Sequence, residues 1–303
     1  MASSVYSNGD RPLRPPEELI TYLLDQSHRD HHLAGIEYRQ AMLREWNIAP
    51  GSSVLEIGCG QGEFTVCLAD AVGPNGRIVA VDSAYLGWGT PCIIESQNHL
   101  MATPIGKPIS FVNDTALNYV SSLFGEEETG HQFDYVLFGH CIWFFDRPQI
   151  LGELLKKLRP WTRAVLIAEF SFSTSIPAAF PHVLVAEYSS TVEALLDDRE
   201  VWNIRCPLTP SQLIEAARRA GFALTAEKTI TPDAKNREAS REVRMLLHAR
   251  EWDEERERVG RLHGDKVASM LRGLKDVVAA SVERLDGGVD TVRNMDVWLA
   301  KFE

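Results

Sequence analysis

Val54-Leu55-Glu56-Ile57-Gly58-Cys59-Gly60-Gln61-Gly62-Glu63-Phe64 joins an apolar run to a glycine-rich turn and then to the start of an amphipathic face. Ser53 to Ile57 reads as a short buried strand. Glycines at 58, 60 and 62 permit positive φ and a close approach of ligand to backbone, and Phe64, Val66, Leu68 and Ala69 open a helical face. A loop of this kind between strand and helix predicts a cradle for a nucleotide-like cofactor.

The glycine spacing narrows the choice. A dinucleotide fingerprint, G-x-G-x-x-G, would need glycine at 63, where this chain has a Glu whose side chain would obstruct a pyrophosphate. The pattern is instead Glu56-x-Gly58-x-Gly60-x-Gly62, and an acidic residue opening the loop suits a ligand that bears an amino-acid group. At these residues the chain resembles the class I S-adenosylmethionine-dependent methyltransferases. Gly76-Arg77-Ile78-Val79-Ala80-Val81-Asp82 extends the likeness. It reads as a second apolar strand whose terminal carboxylate, about 20 residues past the loop, suits the ribose hydroxyls. The passage of helix, Leu158-Arg159-Pro160 and strand resembles the same core.

The chain has 303 residues, 45% of them hydrophobic, enough for a sizeable core, and no run of 18 apolar residues suggests a membrane span. Residues 1–17 are polar and proline-bearing, which predicts neither secretion nor a lipid anchor, and the expected compartment is the cytoplasm. Five cysteines, at 59, 67, 92, 141 and 206, show no paired C-x-x-C spacing, which argues against a zinc site and a disulfide scaffold. A formal charge of −11 leaves no broad basic face for a phosphate backbone, so a small molecule is favoured over nucleic acid.

Strand and helix patterns alternate as in an α/β, doubly wound, mostly parallel sheet with helices on both faces, and the resemblance implies seven strands with an antiparallel last one. Residues 1–29 form a tail and the start of a lid helix, and 30–303 the methyltransferase domain. A helical segment is expected over Glu17 to Trp46, a third strand at Ile109-Ser110-Phe111-Val112, a fourth over Phe133 to Phe138 and a fifth over Arg163 to Glu169. Thr209-Pro210-Ser211 caps a helix that Gly221 stops, Phe222 to Ile230 is strand six, and Asn294 to Ala300 the last strand. Two insertions depart from a minimal core. Residues 171–207 stand where such folds place a substrate cap and hold Phe172, Phe180, His182, Tyr188, Trp202 and Arg205. Residues 232–291 form a charged helical insert whose run Arg250 to Arg258 reads as a solvated face stitched by i,i+4 pairs.

The resemblance carries over residue by residue. It implies that Glu56 organises the loop near the methionine amino group, that Gly58, Cys59, Gly60 and Gln61 supply backbone contacts, and that Asp82 takes the ribose. Asp114 would hold the adenine amino group, with Thr115 beside it; the alternative for Asp114 is a turn or helix cap. His140 follows strand four, beyond the carboxyl ends where doubly wound sheets bind ligands, and an imidazole there can take a proton as a methyl arrives. The competing role is shaping the pocket. His28, His31 and His32 cluster on the N-terminal helix, and 28/32 has i,i+4 spacing, but no third ligand or H-E-x-x-H pattern supports a metal. His32 is a second catalytic candidate, and His31, Trp143 and Tyr188 are substrate candidates; Tyr22 and Tyr38 could also face the substrate.

The expected activity is methyl transfer from S-adenosylmethionine, leaving S-adenosylhomocysteine, to the O or N of a small organic acceptor. The aromatic cap favours a hydrophobic one. Two other classes stay open: a methyltransferase fold turned to non-methylating pericyclic or elimination chemistry, and a non-catalytic regulatory partner. A homodimer is the self-association to test.

Overall fold

The computed structural model describes residues 12–123, 132–196 and 204–303, and Trp202 and Asn203 lie outside the described residues. The quoted stretch folds as expected. β1 (Ser53–Ile57) is buried at every position after Ser53, as a strand covered on both faces must be. α3 (Glu63–Val72) follows at once, with every residue beyond Glu63 buried. The unit repeats through β2 (Arg77–Asp82), α4 (Ile93–Met101), β3 (Ile109–Asn113) and α5 (Ala116–Ser122), then β4 (Phe133–Gly139), α6 (Gln149–Leu158) and β5 (Thr162–Phe170).

After β5 come α7 (Phe180–Leu195), α8 (Pro210–Arg219) and β6 (Leu224–Ile230), then α9 (Glu238–His248), α10 (Arg250–His263), α11 (Asp265–Glu283) and β7 (Val297–Phe302). Among the described residues seven strands form one sheet in the order β3-β2-β1-β4-β5-β7-β6. The first five are parallel, and β7 slots antiparallel between β5 and β6. This is the doubly wound sheet with a reversed last strand.

Period-two alternation along the strands sorts their side chains into two cores. Val54, Ile78, Leu137 and Leu166 point toward α3 and α4, whereas Leu55, Val79, Val136 and Val165 point toward α5, α6 and α8. A third core is separate from the sheet: Val185, Tyr188 and Val192 of α7 meet Val243, Trp252, Val259, Leu271 and Val278 of α9 to α11. The two insertions therefore pack as one helical layer with its own interior. The run from Arg250 does carry pairs along its face, with Arg250 Nε 2.8 Å from Glu254 and Asp253 taking both Arg256 and Lys275.

The N-terminal segment departs from expectation. One helix over Glu17 to Trp46 is replaced by α1 (Pro16–Leu19), a 3-10 turn at Ile20–Tyr22, a break, and α2 (Arg29–Trp46). Gln26 causes the break: its side-chain amide donates to the carbonyls of Ile20 and Leu23, which a continuing helix would have used itself. The last strand also starts later than expected. Asn294 and Asp296 accept the N–H groups of Ala239 and Ser175 through their side chains, and the ladder with β5 begins at Val297. Among the described residues no helix is long and apolar enough to cross a membrane, and no group of three His, Cys, Asp or Glu side chains could hold a metal ion.

Candidate functional site

The strand order reverses direction between β1 and β4, and doubly wound sheets bind ligands at that switch, beyond the carboxyl ends of the strands. Here the loops leaving the two strands touch. A Cβ on Gly58 would lie 2.3 Å from the Cβ of Cys141, so only glycine, at φ +75°, lets them cross. Gly60 is also left-handed, yet nothing lies within 4 Å of where its Cβ would be. That backbone faces open space of the kind a ligand can enter.

The loop is held from beneath and from both sides. Asp82, at the tip of β2, accepts the Gly60 N–H through Oδ2 and the Ala84 N–H through Oδ1, each at 2.7 Å. Each carboxylate oxygen keeps a further lone pair for an outside donor. Gln97 of α4 donates to the Gly60 carbonyl at 2.8 Å, and Gln61 donates to the Pro91 carbonyl. Glu56 is 2% exposed and accepts the Thr65 hydroxyl at 2.7 Å. Burial pushes its carboxyl up to about 7, against the Thr65 bond and the more distant Arg39 guanidinium.

His140 sits one residue beyond β4, its N–H extending the ladder to the Ala168 carbonyl at 2.9 Å. Its φ of 54° is a conformation few non-glycine residues adopt and costs on the order of 1 kcal/mol or more. The ring is ringed by partners. Nε2 is 2.8 Å from the Tyr38 hydroxyl, Nδ1 is 3.4 Å from Glu169 Oε1, and the Phe170 ring lies 4.7 Å away. Glu169, at 1% exposed, is aimed by the backbone: its two oxygens accept the N–H groups of Phe170 and Ile142, both at 3.1 Å. A carboxylate beside Nδ1 favours the tautomer with its proton there, which leaves Nε2 an acceptor for Tyr38. Burial holds the Tyr38 hydroxyl well above its ordinary range, so it remains a proton carrier.

The helical layer reaches the same place. His182 of α7 lies edge-on to Phe170, with ring centroids 5.0 Å apart; its Nδ1 accepts the Met295 N–H, and Nε2 is 3.2 Å from Glu242 of α9. Glu238, the first residue of α9, feels Glu242, His140, His182 and Arg39.

The remaining sequence candidates fall in different places. Cys59 is buried beneath the loop with Gln97 near its sulfur. Asp114 accepts Thr115 N–H and Asn118 Nδ2 through Oδ1, and Thr115 caps α5 through Asn118 N–H. His32 does not join His140. Its nitrogens face Asp25 at 3.2 Å and Glu63 at 3.5 Å, which makes it a clasp between the helix break and the start of α3. His31 is exposed, with Arg241 of α9 among the charges it feels. Trp143 is 3% exposed and stacks on Phe172 at 4.8 Å, behind the crevice wall. Tyr188 is a correction: it is fully buried against Trp252 in the separate core of the helical layer, because the inward face of α7 turns toward α9 to α11 and away from the sheet.

Residue reasoning missed Glu169, Gln97, Thr65, Arg39 and Glu238. Glu169 ends an apolar strand and was readable as such, since a carboxylate closing a buried run needs a partner. A separate hollow of about 330 Å³, lined by Pro50, Asp134, Arg163 and Glu303 among others, sits at the opposite ends of the strands and shares none of these groups.

Comparisons with known proteins agree with this geometry. A family profile described as protein-L-isoaspartate(D-aspartate) O-methyltransferase matches residues 30–86, the stretch from α2 through the glycine loop to just past Asp82. Methyltransferase phomM' of Diaporthe leptostromiformis is 29% identical over 291 residues, covering 82% of this chain and 73% of that protein. A demethylmenaquinone methyltransferase of Bacillus cytotoxicus is 28% identical over 156 residues, covering 50% of this chain and 58% of the relative. Among solved structures, a cyclopropane-fatty-acyl-phospholipid synthase-like protein from Lactobacillus casei superposes with a TM-score of 0.77 at 23% identity, covering 95% of this chain and 98% of the other, and shares its fold. Sheet order and glycine loop give the class I methyltransferase fold, and the relatives in sequence are methyltransferases, so fold and likeness converge on a methyltransferase.

Proposed function

We propose that this enzyme transfers the methyl group of S-adenosylmethionine to a small organic acceptor in the crevice between β1 and β4, with His140 as the general base. The observation that carries this reading is the Tyr38-His140-Glu169 array beside an open glycine cradle. S-adenosylmethionine, when bound, supplies a methyl carbon on a sulfonium; the acceptor's lone pair forms the new bond as the old bonding pair stays on sulfur.

The residues of the cradle fit such a ligand. Gly60 offers open backbone, Asp82 keeps acceptor capacity for ribose hydroxyls, and Glu56 is a buried carboxyl that gains from a nearby ammonium. Arg39, 2.7 Å from Glu63, fixes the first turn of α3 below the loop. On the acceptor side His140 Nε2 receives a proton, directly or through the Tyr38 hydroxyl, which passes its own proton on as it takes the acceptor's. Glu169 then faces an imidazolium and stabilises it. Phe170 and Phe172, backed by Trp143, supply an apolar wall that keeps water from the reacting atoms.

The test is binding and product mass together. Calorimetry should register S-adenosylhomocysteine with purified enzyme, and a screen of small phenols, acids and amines should give a product heavier by one methyl with stoichiometric S-adenosylhomocysteine. Binding without any mass gain across that screen, with a rearranged acceptor of unchanged mass, would move the activity to non-methylating chemistry.

A further inference from the structure

Two neighbouring residues of α2 touch the two halves of the site. The Tyr38 hydroxyl is 2.8 Å from His140 Nε2, just past β4. The next side chain, Arg39, places Nη2 at 2.7 Å from Glu63 Oε2. Glu63 opens α3 directly after Gly62, the last glycine of the cofactor loop, and its other oxygen lies 3.5 Å from His32 Nδ1, also on α2. Arg39 above all, helped by His32, holds the Glu63 carboxyl down at about 2 against its burial, so the carboxylate is an anion throughout the working range.

The ion pair has a built seat. Arg39 Nη1 donates at 3.1 Å to the carbonyl of Gly35, one turn back, and a Cβ on Gly35 would stand 2.9 Å from that same nitrogen. Gly35 lies inside α2 and is not among the glycines with positive φ, so its backbone makes no demand for glycine. A glycine inside a helix weakens it relative to alanine. What the bare position provides is room for the guanidinium to lie along α2 and reach Glu63. Ile36, Met42, Leu43 and Trp46 also bury α2 in the core beside the sheet. Such burial is non-directional and tolerates a small slide of the helix, whereas the bond from Tyr38 to His140 depends on distance and angle. The charged contact beside Tyr38 is directional and fixes that position.

We propose that Glu63 is a positioning residue of the transfer reaction: by anchoring Arg39 in the seat that Gly35 leaves open, it keeps the Tyr38 hydroxyl on His140 Nε2 and ties the acceptor end to the loop that cradles the cofactor. This rests on the methyl-transfer reading above and adds to it a residue that acts through Arg39 and Tyr38. The bonds made and broken are those already written.

The experiment takes the full chain with isotope-labelled histidine, saturated with S-adenosylhomocysteine at pH 8, and follows the His140 Nε2 resonance by nitrogen NMR, identified by its loss in His140→Gln. Tyr38→Phe should shift it, since the hydroxyl is gone. Gly35→Ala should carry it most of the way to the Tyr38→Phe position, because the added methyl group pushes the guanidinium off Glu63 and leaves every charge in place. The thermal midpoint of Gly35→Ala should stay at or above wild type, as alanine favours the helix. Glu63→Gln should move the resonance the same way. With an acceptor from the mass screen above, Gly35→Ala should lower turnover about 10-fold and leave KM for that acceptor within about threefold, the split expected when proton acceptance and not binding is impaired.

A His140 resonance that Gly35→Ala and Glu63→Gln leave at the wild-type position, or that Tyr38→Phe leaves there, overturns the proposal. So does unchanged turnover in Gly35→Ala, or a shift that comes with a midpoint below wild type, since a loosened α2 would explain both. If Glu63→Gln does not fold, Gly35→Ala decides alone, because the atom it displaces is the far end of a flexible side chain. If wild type binds no S-adenosylhomocysteine, or the screen yields no methylated product, the methyl-transfer reading falls, while the resonances of the unliganded chain still decide whether Glu63 holds Tyr38 on His140.

Discussion

A carboxyl sealed at the tip of an apolar strand stays neutral until something cationic arrives beside it. Glu56 sits at about 7, so at pH 6.5 much of it is protonated, and an α-ammonium placed near it would drive that proton off. The sign follows: affinity for S-adenosylhomocysteine should rise from pH 5.5 to 7.5 and then level, with net proton release near pH 6.5. Calorimetry in buffers of different ionisation enthalpy measures that release, and Glu56→Gln should abolish it. Asp82→Ala should weaken the same binding by on the order of 2–4 kcal/mol, since the carboxylate both holds the Gly60 N–H and has acceptor capacity to spare. His140→Ala should lower turnover on the order of 100-fold or more with little change in S-adenosylhomocysteine affinity. Glu169→Gln should lower turnover less, because it touches only the ring nitrogen behind the reacting one. At this scale the cofactor half was legible in the sequence, since glycine spacing and a strand-ending Asp follow from backbone needs alone. The catalytic array was half legible. His140 could be found from its place after a strand, but Glu169 depends on β4 and β5 lying in register, with Gly139 opposite Ala168, and Tyr38 on a helix folding over from 102 positions away.

At the scale of elements, the N-terminal helices act as a clamp over the loop. Arg14 reaches the buried Asp70 of α3 through its backbone N–H at 2.7 Å and its guanidinium at 3.2 Å, and His32 joins Asp25 to Glu63. The hydrogen bond to Glu63 raises His32 above its ordinary value, against the cost of burial. A histidine raised on folding stabilises fully below its unfolded value near 6.5, and that contribution fades as pH climbs through the raised folded value. The thermal midpoint of wild type relative to His32→Asn should therefore be highest at pH 6 and shrink toward pH 9. A difference that stays flat would mean that the clasp carries no charge. The helix break itself was hidden from periodicity, because Gln26 ends the 3-10 turn after α1 through local side-chain-to-backbone hydrogen bonds that an apolar pattern does not reveal. α8 was plain by contrast. Thr209 and Gln212 form a reciprocal capping box, and Thr209→Ala should cost about 1 kcal/mol in denaturant unfolding without touching the crevice.

At the scale of the whole molecule, the helical layer carries an interior of its own beside the sheet. Its core shares no residue with the two cores of the sheet, and Asp296 carries much of the junction: it accepts Ser175 N–H and the hydroxyls of Ser175 and Thr231, where the chain leaves and regains the sheet. Hydrogen exchange should show α7, α9, α10 and α11 opening as one unit before β1, β4 and β5, and Asp296→Ala should speed exchange in that unit while leaving the central strands protected. Sequence reading located both insertions yet could not pair them, since an amphipathic helix reveals that it has a partner and not which one. That is why Tyr188 looked like a pocket residue and proved to be a rivet of the layer.

β6 and β7 lie side by side in an antiparallel ladder, yet the chain between them contains α9, α10 and α11. Topologically the three helices are a swollen hairpin turn, carried on two strands whose alignment is set by their own ladder and by β5. A protein engineer can thus treat that turn as a cartridge: exchanging it would redraw which molecules are admitted for alkylation, while the half of the machine that grips the nucleoside keeps its own separate inheritance.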